Sequence, residues 1–151
     1  MDGRGFELDF LVGTNVLIPA EPTAVGEVEL ATPVVVELLR VVQSGGGRIF
    51  VHPDAFAEIS RDSDASRRST RLILARKYPR LNSSPALSLE LDALFGQPPL
   101  GCHDYYDARL LEAVRQGRVD VLVTDDIGLR RRAQSAALGD RVLSSSDALE
   151  L

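Results

Sequence analysis

Three groups of carboxylates have the spacing to do chemistry together. Asp125 and Asp126 follow the apolar run Val121-Leu122-Val123 and the hydroxyl of Thr124. Asp104 and Asp107 are three apart, so on a helix they share a face one turn apart. Glu58 stands among Ala55, Phe56 and Ile59, an apolar setting in which a carboxylate is not freely solvated. Each acid alone has a plainer explanation. Asp caps helix N-termini, and acids in a first helical turn are favoured by the helix dipole. Together they fall at strand exits and helix starts, which converge on one edge of a sheet. Carboxylates packed so closely repel, and a divalent cation removes that cost. With no Cys or His pair nearby, oxygen donors select a hard ion, Mg²⁺ or Mn²⁺ over Zn²⁺. Such an ion can activate water and stabilise the attacking and leaving oxygens of a phosphodiester. The expected metal-binding and catalytic set is Glu58, Asp104, Asp107 and Asp126, with Asp125 a weaker member.

The elements that position these acids can be read from periodicity. Glu7 to Val12 reads as a first strand, broken at Gly13-Thr14-Asn15, with a short helix or turn starting at Val16. Thr23 to Leu30 is ambiguous. Thr32 and Pro33 open a helix whose stripe is Val34, Leu38, Val41 and Val42, ending at Ser44. Arg48 to Val51 is a second strand, and His52-Pro53-Asp54 starts a helix carrying Glu58. A basic helix runs from about Ala65 to Lys77, with Leu72, Ile73 and Ala75 as its apolar residues, and Pro85 opens another through Phe95. The helix beginning at His103-Asp104 stops at Gly117. A third strand at Val121, a helix containing Leu129 and Ala133, a fourth strand at Arg141–Ser144 and a helix begun at Ala148 complete the chain. That final helix is cut short, which leaves room for a longer parent protein. Strands separated by helices imply a mainly parallel sheet covered on both faces. Neither G-x-G-x-x-G after the first strand nor a G-x-x-x-x-G-K-[ST] loop is present, so the architecture need not be a dinucleotide-binding one.

At 151 residues the chain is expected to form one domain spanning 1–151, with 44% hydrophobic and 26% charged residues. No apolar run is long enough for a membrane span, and the N-terminus has no signal-peptide core. A single cysteine, Cys102, excludes an internal disulfide and points to a cytoplasmic setting. Cys102 beside His103 could suggest a thiol enzyme, but adjacent residues rarely align as nucleophile and base. The net charge of −5 hides an uneven distribution, because ten of the 17 Lys and Arg residues lie between Arg61 and Arg80 or at Arg130–Arg132. Arg67, Arg68, Arg71 and Arg130 are the expected RNA-phosphate contacts; the plainer reading is a solvated helix face. A phosphoacceptor domain also clusters acids at strand ends, but needs a lysine beside them, and Lys77 on the basic helix is the only one.

The stretches Leu11-Val12-Gly13-Thr14-Asn15-Val16-Leu17-Ile18, Glu58, Asp104-Tyr105-Tyr106-Asp107-Ala108-Arg109-Leu110-Leu111-Glu112-Ala113 and Leu122-Val123-Thr124-Asp125-Asp126-Ile127-Gly128-Leu129 resemble the PIN-domain family, which includes ribonuclease toxins of the VapC type. The resemblance covers nearly the whole chain, in order. It implies a PIN-like three-layer α/β/α sandwich around a mainly parallel sheet of about four strands. It also implies Mg²⁺- or Mn²⁺-dependent endoribonuclease activity, frequent homodimers and, for toxins, an antitoxin partner. Thr14, Asn15 and Thr124 match the polar residues that support the family's site, and Glu58, Asp107 and Asp126 match its acids, with Asp104 as an additional one. Gly13 is the departure: it stands where the family has its first catalytic Asp and offers no ligand oxygen. Asp9 lies roughly 13 Å back along an extended strand and cannot replace it. Since the other acids and Thr14-Asn15 remain, the loss reads as an engineered inactivating change in a toxic enzyme rather than long degeneration. Cleavage by this chain is expected to be weak or absent. The competing expectation is a degenerate, non-cleaving PIN-like module that binds RNA or protein.

Overall fold

The computed structural model describes residues 8–20, 32–81 and 86–151. Four strands, β1 (Asp9–Val12), β2 (Arg48–Val51), β3 (Val121–Val123) and β4 (Val142–Leu143), form one sheet in the order β2-β1-β3-β4. Every pairing is parallel. Helices flank the sheet, giving the three-layer α/β/α architecture expected from the alternation of strands and helices. They are α1 (Thr14–Ala20), α2 (Thr32–Ser44), α3 (Ala55–Ile59), α4 (Ala65–Ala75), α5 (Leu89–Leu94), α6 (His103–Arg115), α7 (Ile127–Ser135) and α8 (Ser145–Leu149). A 3-10 turn at Gly139–Arg141 leads into β4. Helix α2 packs on α1 and α8, whereas α3 packs on α4 and α6, and α5 on α6.

Both faces of the sheet are covered, so its strands need apolar residues throughout. Phe10, Leu11, Val12, Val121, Leu122 and Val123 are all buried. Their register positions the functional edge. Val12 pairs with both Val51 and Val123, and Val123 pairs with Leu143, so the carboxyl ends of all four strands lie side by side. The residues immediately beyond those ends are Gly13, His52, Thr124 and Ser144. In parallel sheets this is the edge at which ligands bind.

Several boundaries differ from expectation. Helix α1 begins at Thr14 rather than Val16, because the Gly13 carbonyl accepts from the amides of both Val16 and Leu17. The buried stripe of α2 is Val35, Leu38, Leu39 and Val42, while Val41 is exposed and Val34 half-buried. That set keeps the i, i+3, i+4, i+7 spacing of one helix face, and the run of valines offered more than one such stripe. On α4 only Ala75 is buried and Ile73 is exposed, because the helix ends at Ala75 and packs mainly against α3. Helix α5 begins at Leu89, capped by Ser88, whose hydroxyl accepts from Leu91 N–H. The expected start at Pro85 and the ambiguous stretch from Thr23 to Leu30 lie outside the described residues. Helix α8 starts at Ser145, three residues early, since Ser144 caps it by accepting from Asp147 N–H. Gly117 does end α6: at φ +71° it allows Arg118 N–H to reach back to the Ala113 carbonyl.

Candidate metal centre

Helix α6 runs through the molecule with Tyr106, Asp107, Ala108, Leu110, Leu111, Glu112, Ala113 and Val114 all buried. Its first turn emerges at the carboxyl edge of the sheet. Cys102 caps it, with Sγ accepting from Tyr105 N–H at 3.4 Å. His103 and Asp107 are four apart and therefore share a face. Asp126 reaches the same place from the end of β3. One oxygen of its carboxylate caps α7 by accepting from Leu129 N–H at 3.2 Å, and the other faces His103 at 4.0 Å. The cap and the functional reading of Asp126 thus hold together.

His103 is the centre of the cluster. Its Nδ1 lies 2.9 Å from Glu58 Oε1, and its Nε2 lies 3.3 Å from Asp107 Oδ2. A carboxylate accepts hydrogen bonds, so Nδ1 is the donor toward Glu58. One donor atom each from His103, Asp107 and Asp126 fall within 4.8 Å of one another, an arrangement that could hold a metal ion. The electrostatics reflect this crowding. Burial pushes Asp107 up to about 7; Asp126, Glu58 and Asp104 add to the rise, and His103 opposes it. For His103, burial works against the charged ring, but Asp107, the hydrogen bond to Glu58 and the charge of Asp126 outweigh it and raise its pKa. Beside them the buried Tyr106 hydroxyl is pushed upward by desolvation and by Asp107 and Glu58, with a backbone hydrogen bond at Thr14 opposing the rise.

A polar hub ties β1 to β3 beneath the cluster. Asn15 Nδ2 donates to Thr124 Oγ1 at 3.0 Å, and Thr124 Oγ1 also accepts from Asp126 N–H at 3.2 Å. Asn15 Oδ1 accepts from Asp125 N–H. Thr124 is fully buried and donates its own N–H to the Leu143 carbonyl. Gly13, buried at the end of β1, donates to the Val123 carbonyl. A Cβ built there would meet only Asn15 Oδ1 and Leu110 Cδ1, both at 3.7 Å, which is ordinary contact distance. A side chain is thus sterically acceptable at position 13.

The acids expected from the sequence are brought together in part. Asp107 and Asp126 lie within the cluster, and Glu58 reaches it through His103, with a second contact from Arg61 at 3.2 Å. Asp104 is outside it. Although it shares Asp107's helix, its carboxylate turns to Arg132 at 3.3 Å, and that guanidinium lies over the Phe95 ring. Asp125 turns the other way, accepting from both the N–H and the hydroxyl of Ser145, and so fastens α8. The Cys102–His103 thiol arrangement is not formed, since both ring nitrogens of His103 face carboxylates. Lys77 lies over the Tyr78 ring at the end of α4.

Three of the four arginines expected to hold phosphate are engaged with Asp62 in the structure. Arg67 makes two hydrogen bonds to the Asp62 carboxylate, at 2.6 and 2.7 Å, and Arg71 a third at 3.2 Å. Arg68 donates to the Asp62 carbonyl. Arg67 and Arg71 nevertheless line a cleft of about 360 Å³ together with Thr14, Glu58, Arg61 and His103. Arg130 is half-buried on α7.

His103 is the residue that sequence reasoning misses. Its nearness to Cys102 distracts from its position four before Asp107, which is the signal that places both on one face. The mixed donor set, one imidazole with two carboxylates, fits a divalent cation; Gly13 contributes no side-chain donor. No described helix is long and apolar enough to cross a membrane. Comparison of the chain with protein-family models and with curated protein sequences gives no match in either case.

Proposed function

We propose that this chain is a PIN-like, metal-dependent endoribonuclease of the toxin type whose cleavage is impaired by Gly13. The observation that carries the reading is the convergence of Glu58, Asp107 and Asp126, from three separate stretches of chain, around one point at the sheet's carboxyl edge. Asp107 and Asp126 would hold the cation, Mg²⁺ or Mn²⁺ by the resemblance. When bound, that ion supplies an activated water and neutralises charge on the phosphate. Asn15 and Thr124 fix the loop that carries Asp126. The cleft lined by Arg61, Arg67 and Arg71 opens beside Glu58 and His103, and there guanidinium groups can hold the phosphates of an RNA strand. The reading carries a cognate antitoxin and a second copy of the chain as partners.

Restoring the missing carboxylate is the test. Gly13→Asp has room for its Cβ, and it should raise Mn²⁺-dependent RNA cleavage by at least about a hundredfold, the scale on which removing one key electrostatic group acts. Unchanged activity in that variant would count against the assignment. The second reading, a module that binds without cutting, is favoured by Gly13 itself. It predicts salt-sensitive RNA retention on a filter with no cleavage, even in Gly13→Asp.

A further inference from the structure

The donor atoms of the cluster do not match an all-oxygen magnesium site. We infer that the chain's cation site is a nitrogen-containing one, formed by His103 Nε2, Asp107 and Asp126 with Glu58 as the residue that orients the imidazole, and that it selects Zn²⁺ or Mn²⁺ over Mg²⁺. The inference rests on the metal assignment proposed above, but not on RNA cleavage.

Two observations carry it. First, Glu58 Oε1 lies 2.9 Å from Nδ1 of His103, so that nitrogen carries an N–H, and a cation that displaces the proton from Nε2 takes up its lone pair. A carboxylate behind a ligating histidine is the usual way its tautomer and orientation are set. Second, the Nε2–Asp107 Oδ2 separation is 3.3 Å. Tetrahedral donors at roughly 2.0 Å from a zinc ion stand roughly 3.3 Å from one another. Asp126 Oδ2 lies 4.0 Å from the same nitrogen, and all three donor atoms fall within 4.8 Å of one another, so a bound cation would draw this carboxylate inward to complete the third vertex.

The selectivity comes from donor chemistry. Mg²⁺ prefers six oxygen ligands and gives up its waters reluctantly, whereas imidazole suits zinc and the first-row transition ions. The all-oxygen alternative lacks one donor, since position 13 is glycine, and the ring nitrogen of His103 takes a place among the remaining acids.

The test is calorimetric titration of the purified full chain with ZnCl₂, MnCl₂ and MgCl₂ in the absence of RNA. One site per chain is expected, with Zn²⁺ tightest and Mg²⁺ at least about tenfold weaker than Mn²⁺. His103→Ala should weaken Zn²⁺ at least about tenfold while changing Mg²⁺ little, and Glu58→Ala should weaken Zn²⁺ by about tenfold through loss of orientation. At 59% side-chain exposure His103 can be replaced without opening the core, and circular dichroism checks the fold. Pulsed EPR of the Mn²⁺-loaded protein should show a directly bound imidazole nitrogen that disappears in His103→Ala. Equal affinity for Mg²⁺ and Zn²⁺, absence of cation binding, or Zn²⁺ binding untouched by His103→Ala each overturns the inference. The two proposals fail separately. Zinc held through His103 with no cleavage by Gly13→Asp removes the nuclease and leaves the site. Magnesium-driven cleavage indifferent to His103 removes the site and leaves the nuclease.

Discussion

Asp107 occupies a position where its charge works against the fold. Buried beside Glu58 and Asp126, it holds its proton up to about pH 7, against an ordinary 3.8. The folded chain therefore binds more protons here than the unfolded chain between those two values. Stability from this group is complete below about pH 4 and is lost as pH rises through 7. His103, with its raised pKa, acts in the same direction. Replacing the carboxylate by an amide of the same shape removes the loss. With chelator present at pH 8, Asp107→Asn should melt several degrees above the parent chain, since a single pKa unit corresponds to about 1.4 kcal/mol. The gap should shrink as pH falls toward 4. A variant less stable than the parent at pH 8 would mean that pairing with His103 outweighs the burial of the charge. A divalent cation should stabilise the parent at pH 8 and Asp107→Asn much less, by mass action on the folded state.

The helix that carries Asp107 is itself held by an acid. Glu112 is fully buried on α6 and accepts from Ser88 N–H at 2.8 Å, Arg115 Nε at 3.0 Å and Gln116 Nε2 at 3.0 Å. Burial alone would raise its pKa, but these hydrogen bonds outweigh it and hold it below the usual range. Its contribution is present above the unfolded pKa and lost as pH falls through the folded one. Glu112→Ala leaves the Ser88 amide and two side chains without their acceptor, and should cost about 3–5 kcal/mol in urea denaturation. Glu112→Gln, which keeps an acceptor oxygen, should cost less; equal losses would show that charge rather than hydrogen bonding matters. The alternation of strands and helices is legible in the sequence because short apolar runs bounded by Gly, Pro and polar residues have few other uses. Asp107 and Asp126 are legible for the same reason, since strand ends and helix starts dictate their places. The fate of Asp104 is not, because only the approach of Arg132 and Phe95, beside α7 and α5, decides which way it turns. Glu112 looks like one more surface acid of a helix. Its burial depends on the approach of Ser88 at the start of α5, which periodicity along α6 does not encode.

Across the whole molecule the charges are arranged rather than averaged. Acids gather at the carboxyl edge of the sheet, and the arginines of α4 close on Asp62 beside it. Hydrogen bonds from Arg67 and the Asp64 N–H hold the Asp62 carboxyl well below the usual range, so it remains a partner for them through any physiological pH. Asp62→Asn should therefore tighten RNA retention and steepen its salt dependence. Each additional guanidinium turned to phosphate adds about 0.7 to the logarithmic slope for a single strand. Filter binding between 50 and 200 mM salt reads both quantities, and an unchanged slope would assign these arginines to the fold alone. The hub beneath the acids has a different consequence. Asn15 and Thr124 are 109 residues apart, yet their hydrogen bond joins the first turn of α1 to the loop after β3. During translation, β1 and β2 leave the ribosome long before β3 exists to pair with them. The pocket can close only once the segment around Asp126 has emerged. For a nuclease of the kind proposed, the nascent chain has no working centre while it is still tethered to the messenger and the ribosomal RNA that make it.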